Sequence, residues 1–187
     1  MPSLLQSTAN TRTVLPGNDR ILRSDAPLSP TPADIEFLLN RGITTLIDLR
    51  SEEEIARKPC PLAEDARFIY RHLPVTGGNA MPASPEDVPL SYLRMVDAQM
   101  ERILRLIHKS DGVIYFCTAG KDRTGVVSAL LQREHGMTDD AIAADYALSG
   151  ENLRAMFTEF HARHPEIDVG IYTPRREYML QFLSLLK

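Results

Sequence analysis

A chain of 187 residues, 43% hydrophobic and 25% charged, is read as one domain spanning 1–187, large enough to bury a core without staples. Its formal net charge of −4 gives no general attraction to nucleic acid or to an anionic membrane, so any recognition of phosphate has to be local. No apolar run approaches the ~20 residues of a membrane span, and the first residues lack a basic segment followed by an apolar one. The cytosol is therefore the expected location, with a route of export that leaves no such signal still open.

Residues 1–10 are expected to be loosely ordered. Val14-Leu15 and Ile21-Leu22, separated by Pro16-Gly17-Asn18-Asp19, suggest a hairpin or paired edge strands. Ser29-Pro30-Thr31-Pro32 punctuates, and Ala33 to Arg41 reads as a helix stopped by Gly42. Ile43 to Leu49 is a strand apolar enough to be buried on both faces, and Ser51-x-x-Glu54 directly after it is a capping box, so a helix starts where the strand ends. Pro59-Cys60-Pro61 ends that helix and Phe68 to Val75 gives another strand. Thr76 to Pro89, rich in Gly and Pro, reads as a mobile loop. One long helix is expected from Leu90 to Lys109, and Val113 to Phe116 is the strand that delivers Cys117. Four helices follow, Val126 to His135, Thr138 to Leu148, Glu151 to Arg163 and Arg175 to Leu186. Strands alternating with helices argue for an α/β fold whose mainly parallel sheet, of about four to five strands, is covered by helices on both faces.

The chemistry concentrates in Cys117-Thr118-Ala119-Gly120-Lys121-Asp122-Arg123-Thr124-Gly125, a strand end, a tight loop and a helix start. That geometry aims the amides of Thr118, Ala119, Gly120 and Lys121, and the positive end of a helix dipole, at one point, a ready site for a phosphate-sized anion. The same field favours a thiolate at Cys117. Arg123 adds a planar fork of donors suited to two phosphate oxygens. Asp122, beside a bound dianion that disfavours loss of its proton, is the favoured proton donor to a leaving oxygen; its bland alternative is pairing with Lys121, Arg123 or the helix N-terminus. Asp87 and Asp97 compete for the acid role. Lys121 reads either as a solvated lysine or as a second positive charge at the mouth that meets a second phosphate. Thr124 reads as a hydrogen-bond donor to the Cys117 sulfur or as a plain first-turn residue. Arg23 and Arg50 are possible pocket residues, with pairing to Asp48, Glu53 or Glu54 an equal reading for either. Cys60 and Cys117 make neither a disulfide framework nor a zinc pattern, and His161 and His164 lack a third ligand, so no metal and no cofactor is expected.

The string Cys-x-Ala-Gly-Lys-Asp-Arg-Thr-Gly resembles the signature of the cysteine-dependent protein tyrosine and dual-specificity phosphatases, in the bacterial branch whose members also act on phosphoinositides. Leu22-Arg23-Ser24-Asp25-Ala26-Pro27-Leu28, Gly42 to Glu54 and Asp145-Tyr146-Ala147-Leu148-Ser149 are similar to other segments of that branch, so the resemblance runs from about Thr11 to Ser149. It implies a phosphomonoester hydrolase working through a cysteinyl-phosphate on a phosphorylated protein or a phosphoinositide, with the loop aspartate, Asp122, as acid. The chain departs from the pattern at Phe116, where the family usually has histidine. That departure keeps a non-catalytic phosphate-binding module in view as one rival. A second is an arsenate-reductase-like oxidoreductase, for which Cys60 is the one candidate partner of Cys117.

Overall fold

The structure, a computed structural model, describes residues 3–78 and 80–186. Its strands are β1 (Arg12–Leu15), β2 (Asn18–Asp25), β3 (Thr45–Asp48), β4 (Ile69–His72) and β5 (Val113–Cys117). They form one sheet in the order β1-β2-β5-β3-β4. Only β1 runs antiparallel, as the hairpin partner of β2; β2, β5, β3 and β4 are parallel. Strand β5 therefore lies at the centre, and all five of its residues are buried.

Alternation along β5 sorts the core into two layers. Val113, Tyr115 and Cys117 face one cluster, with Ile103, Ile107, Val126, Val127, Met179 and Phe182 from the helices that cover that face. Ile114 and Phe116 face the other, with Leu22, Leu46, Leu38, Leu62 and Phe68. This is the α/β architecture expected from the strand and helix alternation.

The helices are α1 (Pro32–Asn40), α2 (Glu52–Arg57), α3 (Val88–Leu93), α4 (Ala98–Lys109), α5 (Asp122–Glu134), α6 (Asp139–Asn152), α7 (Arg154–Arg163), α8 (Val169–Tyr172) and α9 (Arg176–Leu185). The capping box at Ser51 and Glu54 forms as the spacing predicts, with the Ser51 hydroxyl accepting from the Glu54 amide and the Glu54 carboxylate accepting from the Ser51 amide.

Three expectations are corrected. The long helix from Leu90 to Lys109 is two helices, α3 and α4, because Asp97 takes an extended backbone and caps α4 by accepting from the Met100 amide. Helix α8 falls where no helix is expected. Before Thr11 the chain from Ser3 onward is packed rather than loose: Leu5 sits in the core, the Asp34 carboxylate accepts from the Gln6 and Ser7 amides, and Asn10 is fully buried. Met1 and Pro2, part of that same expectation, lie outside the described residues. Within the segment from Thr76 to Pro89, Thr76–Gly78 and Pro85–Asp87 are single 3-10 turns, and Asn79 is outside the described residues.

Candidate active site

In a parallel sheet the carboxyl ends of adjacent strands open on one edge. Here Asp25 of β2 pairs in register with Cys117 of β5, and Asp48 of β3 with Phe116, so the turns that follow β3 and β5 leave the sheet side by side. The first turn starts α2 and carries Glu54. The second starts α5 and carries Arg123.

Between Cys117 and α5 the loop is held from outside by its carbonyls. The Thr118 carbonyl accepts from the Ala26 amide at 3.4 Å. The Asn10 side-chain amide donates to the Ala119 and Gly120 carbonyls at 3.3 and 2.9 Å, and Arg23 Nη2 donates to the Gly120 carbonyl at 3.0 Å. No peptide bond is cis, and in a planar trans peptide the C=O and the next N–H point in opposite directions. Anchoring the carbonyls of Thr118, Ala119 and Gly120 outward therefore turns the amides of Ala119, Gly120 and Lys121 to the loop's inner side. Among the described residues no hydrogen bond takes these three N–H groups or that of Thr118. Four donors and the N-terminus of a thirteen-residue helix are left for an anion.

Gly120 is required twice. Its φ is +64°, and a Cβ there would lie 2.4 Å from the Ser24 and Asp25 backbones. Gly125 is required for packing instead, since a Cβ would meet the Tyr146 ring at 3.0 Å.

Cys117 ends β5 with 3% of its surface exposed. Arg123 is held by Glu54, with Nη1 at 2.5 Å from Oε2 and Nη2 at 2.7 Å from Oε1, and Thr118 Oγ1 donates to the same carboxylate at 2.5 Å. A guanidinium has five N–H donors; two bonds to Glu54 leave three for a substrate. Burial works to raise the Glu54 carboxyl, but the Arg123 and Thr118 bonds outweigh it and hold it down to about 2. Burial likewise works to lower Arg123, and the Glu54 pair with the nearby Cys117 carries it up instead. Glu54 reads from the sequence as a cap and as a possible partner of Arg23 or Arg50. Its role at Arg123 shows only when the two strand-to-helix turns are known to be neighbours.

Asp122 opens α5 and borders a cavity of about 230 Å³ walled by Met81, Pro82, Val88, Tyr92 and Ile171. Its Oδ1 accepts from the Tyr92 hydroxyl at 2.5 Å, and its Oδ2 is 3.2 Å from Lys121 Nζ. Lys121 lines the same cavity rather than standing solvated at its mouth. It is buried, and its ammonium donates to the Tyr172 carbonyl at 2.5 Å. A second cleft, of about 550 Å³, lies on the Thr118 and Glu54 side of the loop and has Arg57 and Lys58 at its rim.

The remaining candidates fall elsewhere. Arg23 is wholly buried behind the loop, tied to Asp145 at 2.8 Å and to the Gly120 carbonyl, so it braces the loop and borders neither of these two cavities. Arg50 folds back on Asp48 at 2.6 Å with its guanidinium over the Phe116 ring, and although almost wholly buried it contributes to the wall of the second cleft. The expected bond from Thr124 to the Cys117 sulfur is not made, and Thr124 Oγ1 is buried without a partner among the described residues. Asp97 is spent on capping α4 and on the Thr76 hydroxyl. Asp87 accepts from Ser84 at 3.2 Å, and neither carboxylate borders the Asp122 cavity. Cys60 points to the Pro27 carbonyl in the cluster on the opposite face of the sheet from Cys117, and burial pushes its thiol up to about 11.

A cysteine at the end of a buried central strand, a loop of inward amides and an arginine in the first helical turn define an α/β protein of the cysteine-loop class. The chain belongs to the tyrosine phosphatase family, whose model matches residues 6–187. A tyrosine-protein phosphatase of Nostoc commune is 34% identical over 134 residues, covering 66% of this chain and 46% of that protein. The triple specificity protein phosphatase PtpB of Mycobacterium tuberculosis is 30% identical over 195 residues, covering 82% of this chain and 70% of that one. The chain thus spans less than half the length of the first of these relatives. The crystal structure of P. aeruginosa TpbA aligns with a TM-score of 0.47 at 15% identity, over 95% of this chain and 99% of that one.

Proposed function

We propose that this chain hydrolyses phosphomonoesters through a cysteinyl-phosphate, with phosphotyrosine as the favoured substrate class. The observation that carries the reading is the loop between Cys117 and Arg123, whose unpartnered amides face inward because their carbonyls are held from behind. The Cys117 sulfur attacks phosphorus while the bond to the leaving oxygen breaks; the amides of Thr118, Ala119, Gly120 and Lys121 and the free donors of Arg123 take the phosphoryl oxygens. Asp122 gives its proton to the leaving oxygen. Water then attacks phosphorus, the sulfur–phosphorus bond breaks to return the Cys117 thiolate, and a proton of that water passes to the Asp122 carboxylate, restoring the acid. Each step uses a group of this chain, so the reaction as written calls for no metal.

The cavity beside Asp122 favours an aromatic leaving group, since Met81, Pro82, Val88 and Ile171 offer apolar walls to a ring. The phosphoinositide reading rests on the family resemblance, with Lys121 as a second phosphate ligand; that ammonium borders the cavity but already gives one of its donors to the Tyr172 carbonyl, so the tyrosine reading is preferred. The oxidoreductase reading loses its partner cysteine, because Cys60 and Cys117 face opposite layers of the core.

The test is Cys117→Ser, which keeps the size and removes the thiolate. Turnover of an aryl phosphate should vanish while vanadate or phosphate still binds. Activity within tenfold of the parent would defeat the covalent mechanism. A panel of phosphotyrosine, phosphoserine and phosphoinositide substrates given to the parent chain decides the class, and no turnover of any would leave the binding-module reading standing.

A further inference from the structure

Asp122 does not stand free in the cavity it borders. Its Oδ1 is taken by the Tyr92 hydroxyl at 2.5 Å, and that hydroxyl is 2.5 Å from the hydroxyl of Tyr146. A phenol has one proton to give. Tyr92 gives it to Asp122, so the bond between the two phenols must run from Tyr146 to Tyr92. The result is a directed chain, Tyr146 to Tyr92 to Asp122. Both rings are about 1% exposed, and Tyr92 is fixed edge-on against Tyr146 and Phe182 with centroids 5.9 and 6.1 Å away. Burial pushes the Tyr92 phenol well above its ordinary range, so it keeps its proton and stays a donor to Asp122.

We infer that Tyr92 is the positioning residue of the general acid: it fixes Oδ1 of Asp122, so that Oδ2, which rests 3.2 Å from Lys121 Nζ, is the oxygen left to present a proton to the leaving group, and it stabilises the carboxylate that forms as that proton departs. This rests on Asp122 being the acid. A group acting as the acid enters the step carrying its proton, so in that state the bond from Tyr92 runs to a neutral acceptor. In the transition state the proton moves to the leaving oxygen as the phosphorus–oxygen bond breaks, and negative charge grows on Asp122. A hydrogen bond to a charged acceptor is about twice as strong as one between neutral groups, so the contact tightens along the reaction coordinate, which is the condition for accelerating it. Tyr146 polarises the donor from behind. Tyr92 comes from α3, on the far side of the Thr76 to Pro89 segment, so this network ties the acid to the element that walls its cavity.

The purified full chain and its Tyr92→Phe, Tyr146→Phe and Asp122→Asn variants are compared on phenyl phosphate, whose leaving oxygen needs a proton, and on nitrophenyl phosphate, whose leaving oxygen does not. Tyr92→Phe keeps the ring and its packing. It should lose about 10- to 100-fold in kcat on phenyl phosphate, the value of a hydrogen bond to a charged group, and stay within about threefold on nitrophenyl phosphate. Tyr146→Phe should show the same contrast, smaller, and it serves in place of Tyr92→Phe if that variant fails to fold. Adding Tyr92→Phe to Asp122→Asn should bring no further loss, since the two act as one unit. If Asp122→Asn shows the contrast and Tyr92→Phe slows both esters alike or neither, the inference falls alone. If Asp122→Asn shows no contrast, the acid assignment falls and takes the inference with it.

Discussion

Replacing Glu54 by glutamine removes one charge and leaves the shape of the side chain. Burial works to raise the Glu54 carboxyl, yet the bonds from Arg123 and Thr118 bring it from an ordinary 4.5 to about 2. At about 1.4 kcal/mol per tenfold change in affinity for the proton, a fall of that size corresponds to about 3 kcal/mol. The Glu54 side chain is 27% exposed, more than that of its partner Arg123 at 11%, and solvent screening reduces the figure to about 1–2 kcal/mol of folding stability. Folding depresses the value, so the contribution is complete above the unfolded value near 4.5 and disappears as the pH falls from there through about 2.

Denaturant unfolding of the parent and Glu54→Gln should accordingly differ by about 1–2 kcal/mol at pH 7, with the gap closing as the pH is lowered below 4.5. Turnover should fall further than stability suggests. An Arg123 guanidinium without its bidentate partner leaves the phosphoryl oxygens by a fraction of its own length, and a misplacement of ~1 Å can cost about 10²-fold in rate. Inhibition by vanadate should weaken less than kcat falls, because the same substitution removes a negative charge from beside the anion site. A stability gap unchanged between pH 7 and the acid range would refute the charge-pair argument, and unchanged turnover would refute the positioning of Arg123.

Asp87→Asn and Asp97→Asn should leave the ratio of phenyl to nitrophenyl phosphate turnover unchanged, since neither carboxylate borders the Asp122 cavity; a fall in the ratio for either would make it the acid. Asp97→Ala should instead lower stability by about 1 kcal/mol, the worth of an N-cap, read from the denaturant midpoint. Asn10→Ala strips donors from the Ala119 and Gly120 carbonyls inside a buried network with Arg12, Ser149 and Asn152. It should cost about 1–3 kcal/mol for polar groups left unpaired and weaken vanadate binding measured by inhibition; retained vanadate affinity would mean the loop holds its shape without Asn10.

What the sequence makes legible is what is local. The hairpin at Pro16-Gly17, the capping box at Ser51 and the Cys117 to Arg123 loop each lie within a few residues, and each forms as the spacing implies. What it hides is set by neighbours distant in the chain. Lys121 sits next to Asp122 in every reading, but only α8, fifty residues on, supplies the Tyr172 carbonyl that draws its ammonium inward. Asn10 looks like part of a loose terminus because it sits in the run Gln6 to Thr13, polar but for Ala9; its partners are Gly120, Ser149 and Asn152. The break between α3 and α4 did have a local signal, an aspartate followed by a helical run, overridden by the apolar spacing of Leu93, Val96 and Met100 on either side of it.

Glu54 joins the two kinds of information, and its length is what allows it. The carboxylate accepts the Ser51 amide at 2.9 Å and Arg123 Nη1 at 2.5 Å on Oε2, while Oε1 takes Thr118 and Arg123 Nη2. The capping box fixes the side chain's rotamer from within α2 before Arg123 is considered, so the guanidinium meets an acceptor already in place. Glu54→Asp keeps the charge and loses one methylene, and a shorter carboxyl cannot reach the Ser51 amide and both guanidinium nitrogens together. If orientation of Arg123 is what matters, Glu54→Asp should lose turnover nearly as Glu54→Gln does, by about 10- to 100-fold. If the negative charge alone matters, Glu54→Asp should remain within a few-fold of the parent, and kcat on nitrophenyl phosphate for the three proteins side by side distinguishes the two.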